Sequence, residues 1–244
     1  MKLLYAAAIS TTLVIIFGII LISPMYFYPQ RKLTEPKLML CFSILESDNV
    51  TEWCNELSAI LENNSLEATI FFVGKVAEKN PECVATFSEG IDIGSQTYNY
   101  LNLTSISDYS ELLEEVRKGK SAVDTAGNLD SKSFRAPFGA TDQNIYSLLS
   151  RNGIIADFSY ENQYNIFQNG QFIKIDIVSF QWPEIPTDLL VDEQQYTKPI
   201  IIYLDNTVPI SEIQNLVNQL EGTYLEIVSA SNLVGKELTI REGL

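Results

Sequence analysis

Apolar residues along this chain fall into three textures. The first is a single run, residues 3–27 (LLYAAAISTTLVIIFGIILISPMYF), with no charged side chain. The second is a set of short apolar blocks bounded by polar or turn residues: 38–45 (LMLCFSIL), 67–74 (EATIFFVG), 91–95 (IDIGS), 133–139 (SFRAPFG), 154–160 (IIADFSY), 171–177 (QFIKIDI), 199–206 (PIIIYLDN) and 223–229 (TYLEIVS). Their length and their β-branched and aromatic content predict about seven buried strands. The third texture places apolar residues at helical spacing, over residues 50–64, 81–90, 108–127, 143–153 and 211–222. Blocks and helical stretches alternate, and βαβ repetition implies parallel strands covered by helices. No glycine-rich phosphate loop follows the first block, so an α/β fold with a closed or nearly closed parallel (β/α) barrel fits better than an open doubly wound sheet.

The first texture has the length of the roughly 20 apolar residues that cross a bilayer as a helix. A cleaved signal peptide has a shorter apolar region of about 7 to 15 residues, and here no Ala-X-Ala precedes the polar flank and no Cys follows to accept a lipid. The expectation is an uncleaved transmembrane signal anchor over residues 1–29, a short stalk over 30–37 and one globular domain over 38–244. Lys2 on one flank stands against Arg31, Lys32 and Lys37 on the other, so the positive-inside rule does not choose an orientation. Three Asn-X-Ser/Thr sequons, at Asn49, Asn63 and Asn102, suit an exported domain. A single-pass membrane protein with its C-terminal domain extracytoplasmic is expected.

Charge narrows the partners. The 31 acidic and 16 basic residues give a net charge of −15, which argues against nucleic acid, whose phosphates require a basic face. Of three cysteines, Cys41 sits within an apolar block and reads as a small buried hydrophobe. Cys54 and Cys83 each open a predicted helix and admit either one disulfide or two thiols. There is no histidine at all.

Ligands of such barrels sit at the carboxyl ends of the strands. In order, those ends read CFSIL (41–45), GSQTYNY (94–100), FRAPFG (134–139), ADFSY (156–160) and IIIYLDN (200–206). This succession resembles the NodB-type polysaccharide deacetylases, a carbohydrate esterase family, over residues 38–235, with EATIFFVGKVAEKNPECVATFSEGIDIG between the first two motifs and SFRAPFGATD matching the family's Arg-X-Pro-aromatic-Gly loop. The resemblance implies a distorted parallel (β/α) barrel that removes acetyl groups from N-acetylated sugars. It implies a metal, commonly zinc, on one Asp and two His, an Asp base oriented by an Arg, and a His acid. Position by position, the base falls on Ser43, the metal carboxylate on Ile44, the two metal imidazoles on Gln96 and Tyr100, and the acid on or near Leu204. Arg135, Pro137, Phe138 and Gly139 keep the family's types. Amide and phenol are poor zinc ligands beside imidazole, thiolate and carboxylate, so the resemblance implies a degenerate member with no metal or other cofactor.

Arg135 then has two readings: contact with an anionic or sugar ligand, or a structural ion pair with Asp157 or Asp205. Tyr98, Tyr100, Phe138, Phe158, Tyr160 and Trp182 are candidates for an aromatic groove that stacks on sugar rings, against the plainer reading of core and rim. Glu46, Asp48, Asp92, Asp157 and Asp205 are the carboxylates near the inferred site, from which an oxygen-rich cation site is a further option. The expected function is glycan binding or scaffolding at the cell envelope without hydrolysis, with a cell-envelope glycan or a membrane protein complex as partner. Two alternatives stand beside it: a divergent deacetylase that still hydrolyses the amide C–N bond of N-acetylated sugars, and an accessory subunit of a membrane complex.

Overall fold

The block 38–45 becomes a strand because each of its faces meets an apolar partner, and the whole molecule is organised around it. In the computed structural model of the chain, residues 36–88, 90–186, 189 and 196–241 are described. The chain falls into two units, Met1–Thr34 and Glu35–Leu244. The segment expected to span the membrane lies outside the described residues, among which no helix is long and apolar enough to cross a membrane.

The elements follow the predicted alternation. They are β1 (Lys37–Ile44), α1 (Val50–Asn63), β2 (Ala68–Phe72), α2 (Gly74–Lys79), α3 (Pro81–Ala85), β3 (Ile91–Ser95), α4 (Tyr109–Gly127), β4 (Leu129–Ser131), β5 (Ser133–Phe134) and α5 (Gln143–Arg151). There follow β6 (Ala156–Asp157), β7 (Gln163–Gln168), β8 (Gln171–Asp176), β9 (Val178–Gln181), β10 (Ile200–Asp205), α6 (Ile210–Leu220), β11 (Glu226–Ile227), α7 (Ala230–Val234) and β12 (Thr239–Arg241). Lys37, assigned to the stalk from sequence, already belongs to β1. Gly74 starts α2 rather than ending a strand, and the helix expected over 81–90 stops at Ala85.

The main sheet has the order β8-β7-β6-β5-β3-β2-β1-β10-β9, with β11 also paired to β1. From β6 to β9 every pairing is parallel. The expected all-parallel barrel is corrected at one edge, where β6, β7 and β8 pair antiparallel. Between β7 and β8 the cause is local: Asn169 and Gly170 both adopt positive φ (51° and 86°) in a two-residue turn, and such a turn folds a strand back on itself.

The sheet curls. Its two ends, β8 and β9, are separated in sequence by Ile177 alone, so the edges of the path must lie beside one another. The result is a nearly closed barrel. Side chains alternate across its wall: Met39, Cys41, Phe71, Phe158, Tyr164, Ile201 and Tyr203 fill the inside, while Leu38, Leu40, Phe42, Ile44, Ile202 and Leu204 face the helices with Trp53, Leu57, Ile213 and Leu216. A disulfide joins Cys54 of α1 to Cys83 of α3.

Candidate functional site

Because β1, β2, β3, β5, β6 and β10 run the same way, their carboxyl ends meet at one mouth of the barrel. Ser43 pairs with Asp205 on one side and Phe71 on the other, and Ser95 continues the ring to Phe134. Cys41 is level with Tyr203 one step deeper. By alternation Ser43 therefore faces the mouth. Ile44 and Leu204, the inferred metal-carboxylate and acid positions, lie instead in the outer hydrophobic layer.

The turn after β3 is fixed by close backbone approach. A Cβ on Gly94 would stand 2.3 Å from the Phe71 ring, so only glycine lets that ring fill the barrel. A Cβ on Gly119 of α4 would stand 2.4 Å from the Gln96 carbonyl. Gln96 is 1% exposed, and its Nε2 donates to the Phe71 carbonyl at 3.1 Å. Thr97 Oγ1 accepts from the Leu101 amide at 3.1 Å. The Gly74 and Lys75 amides donate to the Thr97 and Tyr98 carbonyls (3.1 and 3.0 Å), and the Tyr98 amide donates to Glu115. Asn99 Nδ2 donates to the Glu115 carboxylate at 2.6 Å.

Tyr98 points away from the mouth. Its hydroxyl donates to Glu78, and the Lys118 ammonium lies 3.6 Å from its ring centroid. Tyr100 turns the other way. It has φ +60°, as does Phe138, and the two rings pack with centroids 5.4 Å apart. A positive φ on a bulky residue costs about 1–2 kcal/mol, and here two loops bear that cost to set one aromatic pair at the mouth. Phe138 is 71% exposed. Burial pushes the Tyr100 phenol up, the Arg135 charge opposes this and the Asp205 carboxylate adds to it. A cavity of about 250 Å³ opens beside the pair, lined by Leu45, Glu46, Val73, Lys75, Asn99 and Tyr100.

Arg135 is half-buried in the mouth, with its amide on the Ser95 carbonyl at 3.1 Å. Its Nη1 donates to the Phe158 carbonyl at 2.9 Å, and its guanidinium carbon lies 3.8 Å from the centroid of the Tyr203 ring. The ion pair expected with Asp157 or Asp205 is not formed among the described residues. Asp157 is taken by its own loop. It is 0% exposed and accepts from the Ser159 amide (3.1 Å), the Ser159 hydroxyl and Asn165 Nδ2 (3.3 Å), beside Tyr146 of α5. Burial pushes its carboxyl up to about 6 against these hydrogen bonds. Asp205 engages Oδ1 with the Thr207 amide at 2.9 Å. Burial also pushes the Tyr203 phenol up and the Cys41 thiol to about 12, which leaves that thiol inert.

Other expected members are elsewhere. Trp182 donates Nε1 to Glu212 of α6 at 3.1 Å and packs on the outer layer, because the chain leaves β9 on that side. Phe158 is core, packed on Phe71 and Tyr164. Tyr160 donates to the Thr141 carbonyl at 2.7 Å. Asp92 lies near the start of β3 and holds Ser231 of α7 at the opposite end. Glu46 is exposed and paired with Lys75 and Lys79, and Asp48 is exposed. Sequence reasoning missed Asn206, whose side chain bonds the Leu45 amide (2.8 Å), the Leu45 carbonyl (2.9 Å) and Ser47 Oγ (3.0 Å). An Asn directly after an apolar strand is a signal for such a loop clamp.

The family model for polysaccharide deacetylase matches residues 30–156, more than half of the 244-residue chain. This chain belongs to the polysaccharide deacetylase family. Solved structures agree in fold with this family member. A family 4 carbohydrate esterase from Streptomyces lividans in complex with acetate is 20% identical with a TM-score of 0.57, over 78% of this chain and 90% of that one. The peptidoglycan deacetylase PdaC from Bacillus subtilis is 15% identical with a TM-score of 0.61, over 84% and 92%. A family 4 pseudoenzyme from Bacillus anthracis is 13% identical with a TM-score of 0.61, over 82% and 66%. No curated protein matches the sequence. Within this polysaccharide deacetylase domain the mouth thus holds Ser43, Tyr100, Arg135, Phe138, Tyr203 and Asp205, and no group of three or more His, Cys, Asp or Glu able to hold a metal ion is found among the described residues.

Proposed function

We propose that this polysaccharide deacetylase domain binds a glycan at the cell envelope without hydrolysing it, tethered by the apolar run at residues 3–27. One observation carries the reading: the three positions that hold metal in the family do not suit one here. Ile44 is aliphatic and packed in the outer layer, the Gln96 amide is committed to the Phe71 carbonyl, and the Tyr100 phenol is held protonated by burial. Zinc prefers imidazole, thiolate and carboxylate, and without histidine in the chain no imidazole can replace them. With neither a Lewis acid nor a base at Ser43, amide hydrolysis lacks both ways of activating water. What remains suits binding: an exposed ring beside a second ring, a guanidinium and a cavity.

The Bacillus anthracis pseudoenzyme supports the reading that this fold can be kept without activity. The Cys54–Cys83 disulfide supports an oxidising, extracytoplasmic location. The test is to incubate the full chain in detergent with N-acetylglucosamine oligomers plus Zn²⁺, Co²⁺ or Ca²⁺, and to measure acetate release and retention on immobilised glycan. Retention without acetate is expected; stoichiometric metal with turnover would establish the divergent-hydrolase alternative. No retention on any envelope glycan, with co-purification of a membrane protein, would favour the accessory-subunit alternative.

A further inference from the structure

Arg135 is a half-buried cation with no counter-ion among the described residues. A guanidinium carries five N–H donors, and here it donates one bond to the Phe158 carbonyl, lies on the Tyr203 ring face and acts on the Tyr203 phenol. That ring fixes the plane of the fork, so the remaining donors are pre-oriented rather than mobile. The two carboxylates within reach by sequence are both diverted: Asp157 to Ser159 and Asn165 behind the sheet, Asp205 to Thr207. Ser43, level with Asp205 and one step above Tyr203 on the inner face, brings only a hydroxyl. In a chain of net charge −15, a shielded cation with no carboxylate paired to it among the described residues is the reverse of what composition predicts.

We propose that Arg135 anchors the carboxylate of a carboxylate-bearing sugar, whose ring stacks on Phe138 and Tyr100. This rests on the glycan-binding reading above and names the class of glycan. Arg135 and Phe138 belong to one short loop, Phe138 meets Tyr100 at 5.4 Å between centroids, and the guanidinium is near enough to Tyr100 for its charge to act on that phenol, which puts the aromatic pair and the cation at one side of the mouth. Planar bidentate pairing is the geometry in which Arg outperforms Lys. Asp205 is level with Ser43 at the mouth, and its charge disfavours a ligand carboxylate on its own side. The cavity of about 250 Å³ beside Tyr100 accommodates a neighbouring substituent.

The experiment uses the full chain in detergent and two tetrasaccharide probes: N-acetylglucosamine throughout, and N-acetylglucosamine alternating with N-acetylmuramic acid, whose lactyl ether adds a carboxylate. Affinities are measured by calorimetry at fixed salt. The acidic probe should bind about tenfold or more tighter, as a charge-assisted hydrogen-bonded pair implies. Arg135→Gln should abolish that advantage, so that the two probes bind with equal affinity, and Asp205→Asn should enlarge it by removing a like charge. Equal affinity for the two probes, or an advantage that persists in Arg135→Gln, overturns the carboxylate anchor and leaves glycan binding intact. Failure of both probes to bind overturns both.

Discussion

Asp157 shows how one buried group sets a pH dependence. Its carboxyl is raised from an ordinary 3.8 to about 6 because burial disfavours the charged form more than its hydrogen bonds favour it. The folded state therefore holds the proton more tightly than the unfolded chain. The stability it contributes is full below about pH 4 and is lost as pH rises through about 6, on the order of 3 kcal/mol for a shift of this size. Urea denaturation at intervals from pH 4 to pH 7 should show this decline in the native chain, and Asp157→Asn should flatten it. Phe138 is the opposite case. Being largely exposed, it contributes little to stability, so Phe138→Ala should move the midpoint by less than about 0.5 kcal/mol and yet weaken retention on glycan several-fold, given about 1 kcal/mol for a ring stack.

Among the elements, the β1 loop depends on one side chain. Asn206, on β10's exit, satisfies both the amide and the carbonyl of Leu45, so Asn206→Ala leaves two backbone groups without partners and should cost about 2–4 kcal/mol in urea denaturation. Loss of that clamp should also reduce glycan retention, since Leu45 lines the cavity beside Tyr100. The strands β1, β2 and β10 were legible because their largely apolar blocks leave no other period. Strand β7 was not, since QYNIFQ is polar at its ends and centre, although the Asn169-Gly170 pair after it is a hairpin signal. At the site, Arg135 and Tyr100 could be placed by their loops. The burial of Asp157 and the turning of Tyr98 and Trp182 could not, because these depend on Asn165, Glu78 and Glu212, partners that lie on other elements.

On the scale of the molecule, the Cys54–Cys83 disulfide closes a loop between residues 29 apart and should stabilise the domain by about 3–4 kcal/mol through the unfolded chain. Reduction, or Cys54→Ser with Cys83→Ser, should lower the unfolding midpoint accordingly, measured under otherwise equal conditions. The seam at Ile177 has a different bearing. A sheet with open ends offers rows of unpaired amides and carbonyls to other chains. Here the same peptide forms both margins and turns each against the other through one residue. Ile177 is itself buried in the inner core with its amide on the Asn162 carbonyl at 3.0 Å; a cut beside it should free that residue together with two sticky margins, and the nicked protein should self-associate by light scattering where the intact chain stays dispersed. Continuity of the backbone at a single point thus protects the barrel from its own copies.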